Sequence, residues 1–89
     1  MIIKRHVYSL TPNEAVAKRI VKLLREKKMS KYRLEQKGGL THGSLEAILN
    51  GHNKTVTLTT IYRLARGFEI DILEFLDDEV FRSNKVEID

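Results

Sequence analysis

The chain has 89 residues, of which 42% are hydrophobic, and this suits one small domain with a modest core. It contains no cysteine, which excludes a disulfide framework and a thiolate metal site. Because the apolar start is too short for a signal peptide and no apolar run is long enough to span a membrane, we expect a soluble cytoplasmic protein.

The formal net charge of +4 conceals two oppositely charged parts. Residues 1–67 hold 14 Lys or Arg against 4 Asp or Glu, whereas residues 68–89 hold 2 against 8. A basic body suits a polyanion such as DNA, because each neutralised phosphate releases counterions. Phosphate would repel the acidic end, which should therefore point away from it. Alone, this split favours nucleic acid only weakly, since charge runs also occur on ordinary solvated faces.

Residues 1–10 carry apolar side chains with little Gly or Pro, which is typical of a β-strand or an arm. The basic residues 4–6 (KRH) could reach a minor groove or phosphates, as short arms do in other DNA-binding proteins. A strand with its charges outward is slightly favoured. A lone strand cannot satisfy its backbone, so it needs a partner. The candidate is KVEI at residues 85–88, within one chain or across a dimer.

A helix start follows at Thr11, which can act as the N-cap. Pro12 occupies the first helical position, where its missing N–H costs nothing, and Glu14 completes a capping box. Apolar residues at three- and four-residue spacings then predict an amphipathic helix to about Lys28. Its expected inward residues are Val16, Ile20, Val21, Leu23 and Leu24.

Residues 30–51, SKYRLEQKGGLTHGSLEAILNG, are the most informative stretch of the chain. They predict two short helices, at about residues 31–37 and 42–50, joined by a tight glycine turn. Two helices joined so closely form a helix-turn-helix, which lays its second helix in the DNA major groove. The expected caps and stops are Ser30, Gly38, Gly39, Thr41, Asn50 and Gly51.

Two further helices are predicted after a loop at residues 51–57. Thr57 can cap the fourth, which Gly67 weakens near its end, and a capping box of Asp71 with Glu74 opens the fifth. The expected inward residues are Leu58, Ile61, Tyr62, Leu64 and Ala65 in the fourth helix and Ile72, Phe75 and Leu76 in the fifth.

This ordered set of motifs resembles the lambda-repressor-like helix-turn-helix family, the Cro and xenobiotic-response-element class of bacterial and phage regulators. The resemblance covers about residues 13–76. It rests on Leu34 four residues after a Ser, on GLTHGSLEAILNG, and on TLTTIYRLARGFEIDILEFL. It implies an all-α, five-helix bundle at residues 11–81, between the N-terminal arm or strand and a tail at residues 82–89. It also implies that Leu40, Leu45 and Ile48 are buried.

The family docks its third helix in the major groove and holds the DNA backbone with the start of the second. Lys31 and Tyr32 match positions that contact phosphate, and residues 42–47 include the groove-facing side. Asn50, Asn53 and Lys54 match positions that touch the flanking backbone. The DNA-binding residues implied by the resemblance are Lys31, Tyr32, Thr41, His42, Gly43, Ser44, Glu46, Ala47, Asn50, Asn53 and Lys54.

The chain departs from the family pattern in having few long polar side chains at these positions. Gly43 and Ala47 offer none, and no Arg is placed to grip guanine. His42 and Ser44 could still bond to base edges, while Glu46 could accept from cytosine and Ala47 could contact a thymine methyl. We therefore expect few direct base contacts and a larger share of phosphate and shape readout.

Other kinds of site are weakly supported by the sequence. The three histidines, at positions 6, 42 and 52, lack metal-ligand spacing, so no metal or cofactor is expected. The acidic residues 77–79 are expected to be solvated, and no nucleophile–base pair or phosphate-binding glycine loop indicates an enzyme. The aromatic residues suit core packing better than base stacking, with Tyr32 as the exception.

The predicted function is a sequence-specific, double-stranded DNA-binding regulator, a repressor of phage or mobile-element type. One domain makes few contacts, so a homodimer on a pseudo-palindromic site is expected. Phe75, Val80 and Phe81 of the acidic segment are the predicted self-association surface. One alternative is an antitoxin that binds both its operator and a protein partner. Another is a protein-interaction module that has lost DNA binding.

Overall fold

The computed structural model describes residues 10–82 and residue 86, and six helices account for most of them. These are α1 (Pro12–Lys27), α2 (Lys31–Gly38), α3 (His42–Leu49), α4 (Leu58–Gly67), α5 (Ile72–Leu76) and α6 (Glu79–Arg82). The all-α prediction is confirmed. The single turn of α6 is one helix more than the five expected. None of the described helices is long and apolar enough to cross a membrane.

The two ends of the described chain meet at one point. Leu10 and Val86 form an isolated parallel bridge, and the described residues form no sheet. One bridge is not a strand, so the expected N-terminal strand is not shown. The predicted arm, including the basic residues 4–6, and residues 83–85 and 87–89 of the tail lie outside the described residues.

The predicted N-caps are confirmed at the starts of the first four helices. The Thr11 hydroxyl accepts from the Glu14 backbone N–H at 3.0 Å, and the Glu14 carboxylate accepts from the Thr11 N–H at 2.9 Å. Ser30, Thr41 and Thr57 each accept from the N–H three residues on. Each such cap contributes about 1 kcal/mol. At α5 the Asp71 half of the predicted capping box is formed, with 2.8 Å to the Glu74 N–H.

The core lies between α1, α2, α3 and α4, and Leu34 of α2 belongs to it. Leu34 is fully buried, and so are Ile20, Leu45 and Leu64 on the surrounding helices. Burying one such side chain contributes about 1.5–3 kcal/mol. The predicted burial of Leu40, Leu45 and Ile48 is confirmed.

Three residues expected to point inward are exposed instead. Val21, Leu58 and Tyr62 keep 45%, 60% and 52% of their surface accessible. Leu58 and Tyr62 are four residues apart and share one edge of α4, while the packed face of that helix holds Leu64 and Ala65. The prediction was wrong for these residues because helical periodicity marks an apolar stripe without saying how much of it a neighbour covers.

Helices α2 and α4 cross closely because both carry glycine at the contact. A Cβ on Gly67 would lie 2.6 Å from the Leu34 Cδ1 and 2.9 Å from the Leu34 carbonyl oxygen. A Cβ on Gly38 would lie 2.6 Å from the Arg63 carbonyl oxygen. Gly67 therefore has a packing role besides its low helix propensity. The left-handed backbone at the turn, with φ of 68°, belongs to Gly39.

A buried arginine fastens α5 to α1. Arg19 is 7% exposed, and its guanidinium donates to the carbonyl oxygens of Phe75 at 2.7 Å and Glu74 at 2.8 Å. Asp78 completes the contact, 3.3 Å from Arg19 Nη1 and 2.8 Å from Lys22 Nζ. Asp78 was expected to be solvated, but its side chain is 11% exposed because these two cations from α1 cover it.

The predicted self-association surface is also corrected by this arrangement. Phe75 is fully buried, with its ring centroid 6.4 Å from that of Phe68 and 6.2 Å from that of Phe81. Val80 and Phe81 are half-buried. Phe75 is therefore a core residue of its own chain and is unavailable to a partner.

Candidate nucleic-acid interface

One face of α3 packs on the core and the opposite face is open to solvent. Leu45 and Ile48 are buried, whereas His42, Gly43 and Ser44 are exposed. Leu45 and Ile48 are three residues apart and share the buried face, whereas the three exposed residues form the first turn of the helix. The helix can therefore be approached from outside along the side predicted to meet the groove.

Asn13 fixes the far end of α3 from the first turn of α1. It is fully buried, and its side-chain amide donates to the Ile48 carbonyl oxygen at 2.9 Å. Its backbone N–H donates to the Lys54 carbonyl oxygen at 3.1 Å. One residue thus holds both the end of α3 and the loop that follows it. No signal in the sequence indicated this role beyond an Asn at a helix start.

Lys31 and Glu46 join the two helices of the helix-turn-helix. Lys31 Nζ lies 3.2 Å from Glu46 Oε2, and their side chains are 52% and 29% exposed. A pair this exposed contributes at most about 1 kcal/mol, because water screens it. Both residues were predicted to contact DNA, and each already has a partner of opposite charge.

His42 has a carboxylate partner that the sequence analysis missed. Its Nδ1 lies 3.0 Å from Glu35 Oε2 on α2. The imidazole is 74% exposed, whereas the Glu35 side chain is only 12% exposed. Because the two residues are seven positions apart and on different helices, no single-helix spacing rule connects them.

Thr41 and Ser44 form a local hydroxyl pair at the start of α3. The Thr41 hydroxyl accepts from the Ser44 N–H at 3.0 Å and donates to the Ser44 Oγ at 2.9 Å. The Thr41 hydroxyl therefore makes both of these hydrogen bonds within the first turn of α3. Ser44 keeps its own hydroxyl proton available as a donor to an outside group.

A groove of about 370 Å³ runs beside α3. The small residues Gly43 and Ala47 line one side of it, and no long side chain projects from these positions. A Cβ on Gly43 would meet no atom within 4 Å. The predicted contact residue Asn53 lines the other side with Thr55 and Thr60, which the sequence analysis did not select. The structure thus brings the loop and the start of α4 next to the predicted groove-facing residues.

The remaining predicted residues flank this surface and are exposed. Tyr32, at the start of α2, is 66% exposed, and its hydroxyl accepts from the Gln36 side-chain amide at 2.9 Å. Asn50 is the C-cap of α3, and Lys54 is exposed in the next loop. His52, in the same loop, is also exposed.

The model of the Cro/C1-type helix-turn-helix DNA-binding domain matches residues 19–80 of the chain, more than two thirds of its length. The chain belongs to this family. Comparison with curated proteins and with solved structures found no match.

Membership gives the exposed α3 surface a general function. A Cro/C1-type domain is a DNA-binding domain of transcription regulators, and the family is not an enzyme family. The chain is therefore a DNA-binding transcription regulator. The match spans α2, α3 and the groove between α3 and α4, so every residue predicted to contact DNA lies within it.

Proposed function

We propose that this Cro/C1-type domain is a sequence-specific repressor that binds double-stranded DNA as a homodimer. The observation that carries the proposal is the solvent-open face of α3, anchored from behind by Leu45, Ile48 and the Asn13 hydrogen bond. A recognition helix needs such rigid support, because base contacts depend on side-chain positions being fixed before binding.

Phosphate contact is assigned to the start of α2. Lys31 and Tyr32 are exposed there, and the free backbone N–H groups of an eight-residue helix favour an anion. A phosphate at this point would draw Lys31 Nζ away from Glu46. The Glu46 carboxylate would then be free to accept a hydrogen bond from a base.

Base readout by α3 is dominated by acceptors. Glu46 is an acceptor-only carboxylate, and His42 has one ring nitrogen left after its bond to Glu35. Ser44 adds one donor. In the major groove, acceptors recognise the exocyclic amino groups of cytosine and adenine. The small residues Gly43 and Ala47 allow the backbone of α3 to approach closely, which suits a thymine methyl or shape readout.

Dimerisation is proposed because α3 is short. Its eight residues can cover only a few base pairs. Two copies, bound to half-sites about 34–36 Å apart, would double the contacts. A dimer bound to a symmetric operator that overlaps a promoter would then block transcription.

The decisive experiment is selection of bound sites from random double-stranded DNA. We expect enrichment of a pseudo-palindrome whose half-sites are about one helical turn apart. Ser44→Ala should relax one position of each half-site, whereas Leu58→Ala, an exposed residue of α4, should leave the selected sequence unchanged. Absence of any enriched sequence would overturn sequence specificity. Absence of binding at low salt would favour the protein-interaction module instead.

A second candidate, an antitoxin, is supported by the exposed edge of α4. Leu58 and Tyr62 are more than half exposed and adjacent on the helix surface. Two neighbouring exposed apolar side chains offer a partner protein apolar surface to cover. The test is co-expression with the neighbouring reading frames of the source genome. Rescue of growth by the chain, lost in Tyr62→Glu, would favour the antitoxin, and lack of rescue would count against it.

A further inference from the structure

The outer side of α1 carries an open apolar groove of about 830 Å³. Its apolar lining comes from Ala17, Val21 and Leu24 of α1 and from Leu49 of α3. Val21 is 45% exposed although it belongs to an otherwise packed helix. Burial of an exposed valine is favourable, so an occupant that covers this groove would be stabilised by the hydrophobic effect.

The rim of the groove is basic. Four cations line it, Lys18, Lys22, Arg25 and Lys31, against the single carboxylate of Glu26. Lys22 and Lys31 already face Asp78 and Glu46, whereas Lys18 and Arg25 form no salt bridge with the described part of the chain. The chemistry that fits is therefore an apolar side chain carried on an acidic segment.

This chain presents such a segment at its other charged end. Residues 71–79 hold five Asp or Glu and no Lys or Arg. Within them, Leu73 on α5 is 76% exposed, more than any other large apolar side chain in the described residues. An exposed leucine within an acidic segment complements an apolar groove with a mainly basic rim in polarity and in charge.

We propose that two copies of the chain associate by placing Leu73 of each in the α1 groove of the other. This inference deepens the proposed function, since it names the surfaces of the dimer that a two-half-site operator requires. A two-fold interface needs both complementary parts on one face of the molecule, so that each copy gives and receives the same contact. The pair Lys22–Asp78, at 2.8 Å, places the residues that follow α5 beside the rim of the groove, because Lys22 lines the groove and Asp78 lies between α5 and α6.

The test measures the oligomeric state without DNA, by sedimentation equilibrium over a range of protein concentration. Leu73→Glu and Val21→Glu should each raise the dimer dissociation constant at least about tenfold, because a charge would enter the centre of the contact. Leu58→Glu is the control, because Leu58 is an apolar residue of α4 with an exposure of 60%, between those of Val21 and Leu73, and it should leave the constant unchanged. Circular dichroism checks that all three variants fold.

Cross-linking identifies the contact directly, since the natural chain has no cysteine. Val21→Cys and Leu73→Cys proteins, mixed and treated with an added oxidant, should form the mixed disulfide in preference to either symmetric one. Leu58→Cys mixed with either protein should not. A wild-type chain that stays monomeric, or a dimer lost in Leu58→Glu but kept in Leu73→Glu, would overturn the proposal. Because no DNA is present, failure of DNA recognition would leave these results unaffected.

Discussion

Glu35 accepts a hydrogen bond from His42 across the turn between α2 and α3, with 3.0 Å between Oε2 and Nδ1. A carboxylate has only acceptor atoms, so the proton lies on Nδ1, and in the neutral ring Nε2 is an acceptor. The largely covered Glu35 therefore sets the hydrogen-bonding character of the exposed His42. A residue of α2 thus decides which hydrogen bonds the first residue of α3 can offer to an outside group.

Replacement of Glu35 is expected to change base preference through His42. In Glu35→Gln the amide can donate to Nδ1, which moves the proton to Nε2 and turns it into a donor. Selectivity for a cytosine or adenine amino group should fall by about 0.5–1.5 kcal/mol, the value of one hydrogen bond. The measurement is competition binding to sites that differ at one base pair. Nitrogen-15 NMR of the free protein reports the tautomer, and an identical imidazole spectrum in both proteins would contradict the mechanism.

Loss of the Lys31 charge is expected to weaken binding to all DNA sequences alike. Lys31→Ala removes one phosphate contact, so the slope of log K against log salt should decrease in magnitude by about one. Arg82→Ala is the control, since it removes the same charge from a residue paired with Asp77, away from α2 and α3. A change of sequence preference without a change of salt slope would argue that Lys31 contacts a base instead.

Glu46→Gln separates the two roles assigned to the Lys31–Glu46 pair. The amide oxygen can still accept from Lys31 Nζ, but the negative charge at 3.2 Å is lost, so Lys31 is held less strongly and repulsion of phosphate decreases. The affinity for random DNA should therefore increase. The preference for cytosine at the base proposed to contact residue 46 should decrease. Fluorescence anisotropy with specific and random duplexes measures both. If both affinities fell together, the side chain would instead be needed to hold Lys31 in place.

Three glycines should respond differently to alanine. Gly67→Ala should lower the free energy of unfolding by about 1–3 kcal/mol, because its Cβ would meet Leu34 at 2.6 Å. Gly43→Ala should raise it by about 0.5–1 kcal/mol, since its Cβ would enter open space on a helix. Gly38→Ala should resemble Gly67→Ala. Urea unfolding provides the comparison, and equal stability of the first two variants would contradict the close crossing of α2 and α4.

The acid limit of stability is expected to depend on Asp78. A hydrogen bond from Lys22, with a second from the Val80 backbone N–H, holds the pKa of the Asp78 carboxyl below its ordinary value. The folded state therefore gains stability above the unfolded pKa of about 3.9, and this gain is lost as the pH falls through the lowered folded pKa. Asp78→Asn should flatten the decline of stability across that range.

The matched control for this acid titration is Asp77→Asn. Asp77 is the adjacent carboxyl, but its side chain is 62% exposed and is paired with the exposed Arg82. Asp77→Asn should leave the decline of stability at low pH close to that of the natural protein. Parallel acid unfolding curves for the natural protein and Asp78→Asn would show that the Lys22–Asp78 contact adds no pH-dependent stability.

The sequence by itself determined the local architecture of this protein. The caps at Thr11, Ser30, Thr41 and Thr57 were predictable because a cap is a bond between residues three apart. The helix-turn-helix and its exposed face followed from the same short-range signals, and the family match agrees with them. In the candidate site, the exposed positions on α3 were predictable from the sequence. The side chains that pair with them, Glu35 with His42 and Lys31 with Glu46, were not.

Only the tertiary structure decided which groups meet across the fold. It paired His42 with Glu35, Arg19 with the end of α5, and Asp78 with α1. It also left Val21, Leu58 and Leu73 uncovered, although an apolar side chain usually suggests burial. The physical reason is range: capping and periodicity act within one or two turns, whereas burial and charge pairing depend on which helix arrives as a neighbour.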